Sequence, residues 1–180
     1  MKNNKLIYGA SVFDFDETVG FSDNVVKASK NGNIIEITSD EWPKVGEKMK
    51  NDGWEMDFSD FNRVTNGKPG PLIGKLKNQI NKYGNSNVYI LTARHSDSQQ
   101  AIYNWLLSQD VGIHPANIIG LGDSTGESKA KWIQENLIES GINDIYFVDD
   151  AFSNVQAVKE MFEEYPKGFL IKGGKSIITT

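Results

Sequence analysis

Hydrophobic and polar positions alternate in two different regimes along the chain. From Leu72 onward, short apolar runs take turns with stretches of helical spacing. Leu72, Ile73, Leu76, Ile80 and Tyr83 recur at the intervals that mark one helix face, and Gly84 is a natural C-terminal stop. Val88 to Leu91 predicts a strand, followed by Thr92-Ala93-Arg94. Ser98 to Ser108 predicts a helix with Ile102, Trp105 and Leu106 turned inward. Ile118 to Leu121 reads as a strand, Glu127 to Ser140 as a helix, and Ile145 to Val148 as a strand ending in Asp149-Asp150. Phe152 to Glu164 predicts a helix and Phe169 to Ile171 a last strand.

The first 71 residues follow another pattern. Leu6 to Phe13 is apolar nearly throughout, as in a strand covered on both faces, and runs into Asp14-Phe15-Asp16-Glu17-Thr18. Val25 to Thr38 reads as a hairpin around Asn31-Gly32. Asp40 to Pro71 shows no clear helical period and reads as an irregular insert. Its aromatics Trp42, Trp54, Phe58 and Phe61 are expected to form a small core of their own. Strands alternating with helices predict right-handed crossovers and a mainly parallel sheet.

Composition narrows the function classes. A chain of 180 residues suits one domain with a decorating insert. A net charge of -5 argues against a broad electrostatic footprint for nucleic acid. Lys44, Lys48, Lys50, Arg63 and Lys68 read as solvated surface rather than a basic rim. There is no cysteine, which removes disulfides, thiolate metal sites and a cysteine nucleophile. With His95 and His114 as the only histidines, a bound metal is expected to be a hard, oxygen-ligated ion. No leader or membrane-spanning run is evident, so the expected location is the cytoplasm, with no membrane partner.

In a parallel sheet the ligand site lies beyond the carboxyl ends of the strands. That rule gathers Asp14 and Asp16, Thr92, and Asp149 and Asp150 around one crevice, with Lys129 arriving from a helix start. Carboxylates at the edge of a core repel one another and resist desolvation unless a cation neutralises them. Mg²⁺ is the simplest resident for such a set. A threonine hydroxyl and a lysine ammonium suit phosphate oxygens. An aspartate beside a phosphate is set up for in-line attack, and a second aspartate can move the proton.

Asp14-Phe15-Asp16-Glu17-Thr18, Leu91-Thr92-Ala93, Lys129 and Val148-Asp149-Asp150 stand in the order and contexts of the haloacid dehalogenase-like hydrolases, which the chain resembles from about Tyr8 to Ile171 outside the insert. The resemblance implies a Rossmann-like three-layer α/β/α core built from residues 1–20 and 72–180. It implies a flap hairpin and small cap over 21–71. Asp14 would be the nucleophile and Asp16 the general acid/base. The Asp14 carboxylate, the Asp16 backbone carbonyl and the Asp149/Asp150 pair would hold Mg²⁺, with no cofactor beyond the metal. Thr92 and Lys129 would bind the phosphoryl group, and Arg94 is expected to touch substrate. An aspartate at position 16 is that family's mark of phosphatases, and the chain is most similar to its small members from phages and bacteria. The implied partner is a phosphorylated substrate: a small molecule such as a nucleotide, a nucleic-acid end or a protein tail. A non-catalytic binding or assembly protein on the same fold is the alternative, as is a phosphoprotein phosphatase.

Several residues compete for these roles. Lys131 is the rival of Lys129, which is preferred because Trp132 and Ile133 then begin the buried helix face. Gly122-Asp123 imitates a second metal motif, but it precedes the lysine and lacks a further acid, so Asp123 reads as a loop or helix-capping residue. Asn154 is open between supporting the acidic pair, helix capping and solvent exposure. His95 reads as an exposed loop residue and Ser98 as an ordinary helix start. Gly173-Gly174-Lys175-Ser176 has neither the spacing nor the following helix of a phosphate-binding loop. The order of the acidic motifs is also wrong for a receiver domain of two-component signalling.

Overall fold

The computed structural model describes residues 8–165 and 170–172. Leu6 and Ile7 of the first predicted strand, Phe169 of the last, and the Gly173–Ser176 stretch lie outside the described residues. The chain is mixed α/β. Strands β1 (Gly9–Phe13), β7 (Val88–Thr92), β8 (Ile118–Gly120), β9 (Asp144–Val148) and β10 (Leu170–Lys172) form one sheet in the order β10-β9-β1-β7-β8. Every pairing in it is parallel. The arrangement is compatible with a Rossmann-like α/β fold.

Strand alternation explains where the helices go. Along β1, Ala10 and Val12 point to one face and Ser11 and Phe13 to the other. On the first face, Val12, Leu91, Ile145 and Phe147 pack with Ala130 and Ile133 of α4 (Gly126–Ile133) and with Val155, Val158 and Phe162 of α5 (Phe152–Glu163). On the second, Phe13, Ile90, Ile118 and Val148 pack with Leu76 of α2 (Ile73–Tyr83) and with Ile102, Trp105 and Leu106 of α3 (Gln99–Ser108). The sheet is therefore buried on both sides, which is why its strands carry so few polar residues. Helix α4 runs on into a wider π-helical turn over Gln134–Ile138.

The segment before α2 differs from expectation in one respect. The hairpin is present as β3 (Val25–Lys30) and β4 (Asn33–Thr38), closed by Asn31 at φ 51° and Gly32 at φ 79°. Both lie in the left-handed region that the tight turn needs. A short β2 (Gly20–Phe21) pairs with β6 (Lys68–Pro69), and β5 (Glu55–Asp57) joins the hairpin in the order β4-β3-β5. The stretch read as irregular, however, contains a helix, α1 (Trp42–Asn51). Trp42, Val45 and Met49 pack one side of it onto a cluster of Val26, Ala28, Ile37 and Phe61. Pro43 stands in the first turn, where proline is tolerated, and tertiary burial of these three residues offsets the cost of Gly46 in the interior. Trp42, Trp54 and Phe61 do form a local core, but they share it with the hairpin, and Phe58 is exposed with its ring against Trp42.

Helices α4 and α5 meet at their N-terminal ends, and Gly126 makes that contact possible. A β-carbon there would lie 2.8 Å from the Ser153 carbonyl oxygen and 2.9 Å from the Ala157 methyl. Gly126→Ala is expected to destabilise the protein by about 1–3 kcal/mol through overpacking. Urea unfolding checks this, with a lower midpoint at unchanged slope.

Candidate active site

The sheet order places a switch point beside β1. From β1 the chain moves outward through β7 and β8, then returns to add β9 and β10 on the other side of β1. The crevice between β1 and β9 is where such folds bind ligands, because the two halves diverge there and leave the strand ends uncovered. The ladder continues one residue past β1, with the Asp14 N–H donating to the Val148 carbonyl at 3.0 Å. That bond brings Asp14 level with the end of β9, next to Asp149 and Asp150. One carboxylate oxygen from each of the three lies within 4.8 Å of the others.

Lys129 enters this group from α4. The helix start is set by local hydrogen bonds: Asp123 Oδ1 accepts from the Thr125 N–H at 2.7 Å, and the Thr125 hydroxyl oxygen accepts from the Ser128 N–H. Asp123 thus shapes the turn into the helix. One turn in, the Lys129 ammonium donates to Asp14 Oδ1 at 2.7 Å and to Asp149 Oδ2 at 2.6 Å. Its side chain is 2% exposed. Lys131, two positions on and therefore on the opposite side of the helix, is exposed and lies 3.8 Å from Glu135. Only two of the three ammonium N–H groups of Lys129 are engaged by these carboxylates.

Each carboxylate has further support. The Thr18 hydroxyl donates to Asp14 Oδ2 at 3.1 Å. Asp149 is fully buried. Its Oδ1 accepts from the Ala151 N–H at 2.9 Å, and the Asn154 amide donates to both of its oxygens. Asn154 therefore supports the acidic pair, the first of its three alternatives. Thr92 is buried at the end of β7, where its hydroxyl oxygen accepts from the Arg94 N–H at 3.2 Å.

Charge in the cluster does not balance. Two carboxylates contact the one ammonium and a third lies beside them, so full ionisation of all three would leave two negative charges uncompensated. Burial pushes the Asp14 carboxyl well above the usual carboxylate range, with Asp149 and Asp150 adding to the rise and Lys129 opposing it. Burial and the neighbouring Asp149 raise Asp150 to about 6. Burial would pull the Lys129 ammonium down, yet Asp14 and Asp149 together outweigh it and hold its pKa above the ordinary lysine value. A hard divalent cation fits this donor set: its ligands would be oxygen atoms, and its two charges would offset the excess. The cluster can therefore hold a metal ion.

Asp16 and Arg94 lie beside the cluster and are bound to each other. Arg94 Nε donates to Asp16 Oδ2 at 2.8 Å and Nη2 donates to Asp16 Oδ1 at 2.7 Å, a bidentate pair. Arg94 Nη1 donates to the carbonyls of Phe61 and Arg63 at 3.0 and 2.7 Å, and Nη2 also donates to the Ser22 hydroxyl at 3.1 Å. All five guanidinium N–H groups thus have protein acceptors. Arg94, expected to touch substrate, has a side chain 2% exposed whose donors are all taken up by the protein. His95 and Asp97 are exposed, while Ser98 is buried with its hydroxyl donating to the His95 carbonyl at 2.7 Å.

Sequence reasoning named Thr18 only as part of a motif and missed Ser22 and Asn24 entirely. Thr18 has a usable signal, a hydroxyl four residues after the first aspartate. The partners of Arg94 in the insert have none, because two of them are main-chain carbonyls. When the chain is compared with protein-family models, with curated proteins and with solved structures, none matches. No helix among the described residues is long and apolar enough to cross a membrane.

The raised carboxyls give a pH signature in metal-free protein. Asp150 titrates from 3.8 when unconstrained and at about 6 when folded. Between those values the folded state holds a proton that the unfolded state has lost. The group's stabilising contribution is therefore full below 3.8 and disappears as the pH rises through about 6. Asp14 acts in the same direction. In EDTA, the urea midpoint is expected to be higher at about pH 5 than at about pH 7.5, and Asp150→Asn is expected to shrink the difference.

Proposed function

We propose that the chain is a Mg²⁺-dependent phosphomonoester hydrolase on a three-layer α/β/α core, similar in mechanism to the haloacid dehalogenase-like hydrolases. The observation that carries the reading is the buried Lys129 ammonium between Asp14 and Asp149 at the switch point, with Asp150 completing a surplus of negative charge. A purely structural ion pair needs one carboxylate, and three are an expensive arrangement without a cation to share.

Asp14, Asp149 and Asp150 would hold the ion, together with the Asp16 backbone carbonyl. Bound there, Mg²⁺ supplies charge neutralisation for a phosphoryl group approaching the carboxylates. The chain's own residues do the rest. An Asp14 carboxylate oxygen attacks phosphorus, the bond from phosphorus to the leaving oxygen breaks, and an aspartyl phosphate forms on Asp14. The Thr18 hydroxyl and Lys129 orient Asp14 for that attack. The third N–H of Lys129 and the Thr92 hydroxyl donate to the phosphoryl oxygens. For this step one Asp16 oxygen leaves Arg94 and takes up a proton; Asp16 then gives that proton to the leaving oxygen and takes one from the water that cleaves the aspartyl phosphate, releasing phosphate and restoring Asp14. The substrate is a phosphomonoester of a nucleotide, a nucleic-acid end or a protein tail.

One observation favours a second reading. Both Asp16 oxygens are engaged by Arg94, which suits a binding or assembly protein that keeps the fold without the chemistry. Phosphate release from a mixed panel separates the two. The panel holds an aryl phosphate, nucleotides, phosphopeptides and phosphorylated oligonucleotides. The phosphatase is expected to release phosphate only with Mg²⁺, and Asp14→Asn to lower the rate by at least about 10³-fold. Release that survives in EDTA or in Asp14→Asn, or none from folded, Mg²⁺-loaded protein, counts against it.

A further inference from the structure

Residues 21–71 are tied to the loop after β1 from two directions, and both ties end on neighbouring residues. Glu17, held at φ 61°, accepts a 2.6 Å hydrogen bond from the Ser39 hydroxyl just past β4. Asp16 is held by Arg94, and the same guanidinium reaches the Phe61 and Arg63 carbonyls at the far end of the insert. Arg94 Cζ also sits over two rings, 5.1 Å from the centre of Phe15 in the loop and 4.9 Å from that of Phe61 in the insert. Asn24, at the foot of the hairpin, accepts from Arg94 Nη2 at 3.4 Å and donates to the Asp60 carbonyl at 2.8 Å. One buried cation therefore joins the end of β7, the carboxylate of Asp16 and two separate stretches of the insert.

We infer that Arg94 is a positioning residue that locks the orientation of Asp16 to the docking of the insert. This rests on the role of Asp16 as the proton donor proposed above, while the docking itself stands on geometry alone. When the insert is seated, the two carbonyls fix the guanidinium plane, and that plane fixes both oxygens of Asp16. When the insert lifts, the guanidinium loses the acceptors that orient it, and Asp16 loses its fixed rotamer. The state of the insert thereby sets whether Asp16 is held in its pair with Arg94. A lysine cannot replace this arrangement: it has three donors on one atom and no planar fork for a carboxylate.

The test compares Arg94→Lys and Asp16→Asn in the full chain by amide hydrogen exchange without substrate, and by steady-state kinetics on the aryl phosphate. In Arg94→Lys, exchange in residues 24–30 and 55–65 is expected to rise by about tenfold or more, with β1, β7 and β9 unchanged. In Asp16→Asn those segments are expected to stay near wild type, because the carbonyl and ring contacts of Arg94 remain. The kinetic expectation for Arg94→Lys is a fall in kcat of about tenfold or more with KM within about twofold, since Arg94 does not bind the substrate. Unchanged exchange in Arg94→Lys overturns the inference, as does a rise in KM at constant kcat. If Arg94→Lys does not fold, Arg94→Gln removes the charge and the fork that reach Asp16 and the two carbonyls. It is expected to raise exchange in the same two segments, and no rise overturns the inference. A wild-type protein that releases no phosphate defeats the phosphatase reading, while the exchange result still decides whether Arg94 docks the insert.

Discussion

The organising interaction is the contact of a buried ammonium with two buried carboxylates. Lys129, Asp14 and Asp149 come from three separate elements, and each is almost wholly removed from water. An uncompensated charge in such surroundings is strongly unfavourable, so none of the three is tolerable in place without the others. Asp150 then tips the balance toward negative charge. That excess is the physical reason to expect a cation, and it also explains why the supporting hydroxyl and amide groups are all hydrogen-bond donors. Thr18, Asn154 and the Ala151 N–H each stabilise a carboxylate rather than compete with it.

The rest of the fold can be understood as what holds those three elements in register. The parallel sheet aligns the ends of β1 and β9, and the Asp14 N–H to Val148 bond extends that alignment by one residue. The close meeting of α4 and α5 at Gly126 lies one turn before Lys129 on the same helix. The insert is a second layer of organisation with its own apolar cluster, coupled to the first through Arg94 and through Glu17. The site and the insert are therefore not independent parts, although they are separate in sequence.

Much of this was legible in the chain itself, for reasons that can be named. The acidic residues follow apolar runs, and a parallel sheet brings the ends of such runs together. Asp14, Asp149 and Asp150 could thus be grouped without knowing any distance. The sequence favours Lys129 over Lys131 because Trp132 and Ile133 begin the buried helix face. It leaves the choice open, and burial of the Lys129 side chain decides which of them enters the cluster. Helix α1 was not legible. Its apolar positions are few and Gly46 lies among them, so the helix depends on a sheet formed by residues elsewhere in the chain. The engagement of Arg94 was hidden for a different reason: main-chain carbonyls such as those of Phe61 and Arg63 leave no mark in the identity of the residues that carry them.

The central claim is that Asp14 forms a covalent bond to phosphorus. The most direct measurement is to quench the Mg²⁺-loaded protein with acid during turnover of an aryl phosphate, then locate the phosphoryl group by peptide mass spectrometry. The account predicts an acyl phosphate on Asp14 that is absent from Asp14→Asn. Phosphate release without any phosphorylated Asp14, or a phosphoryl group on another residue, would contradict it.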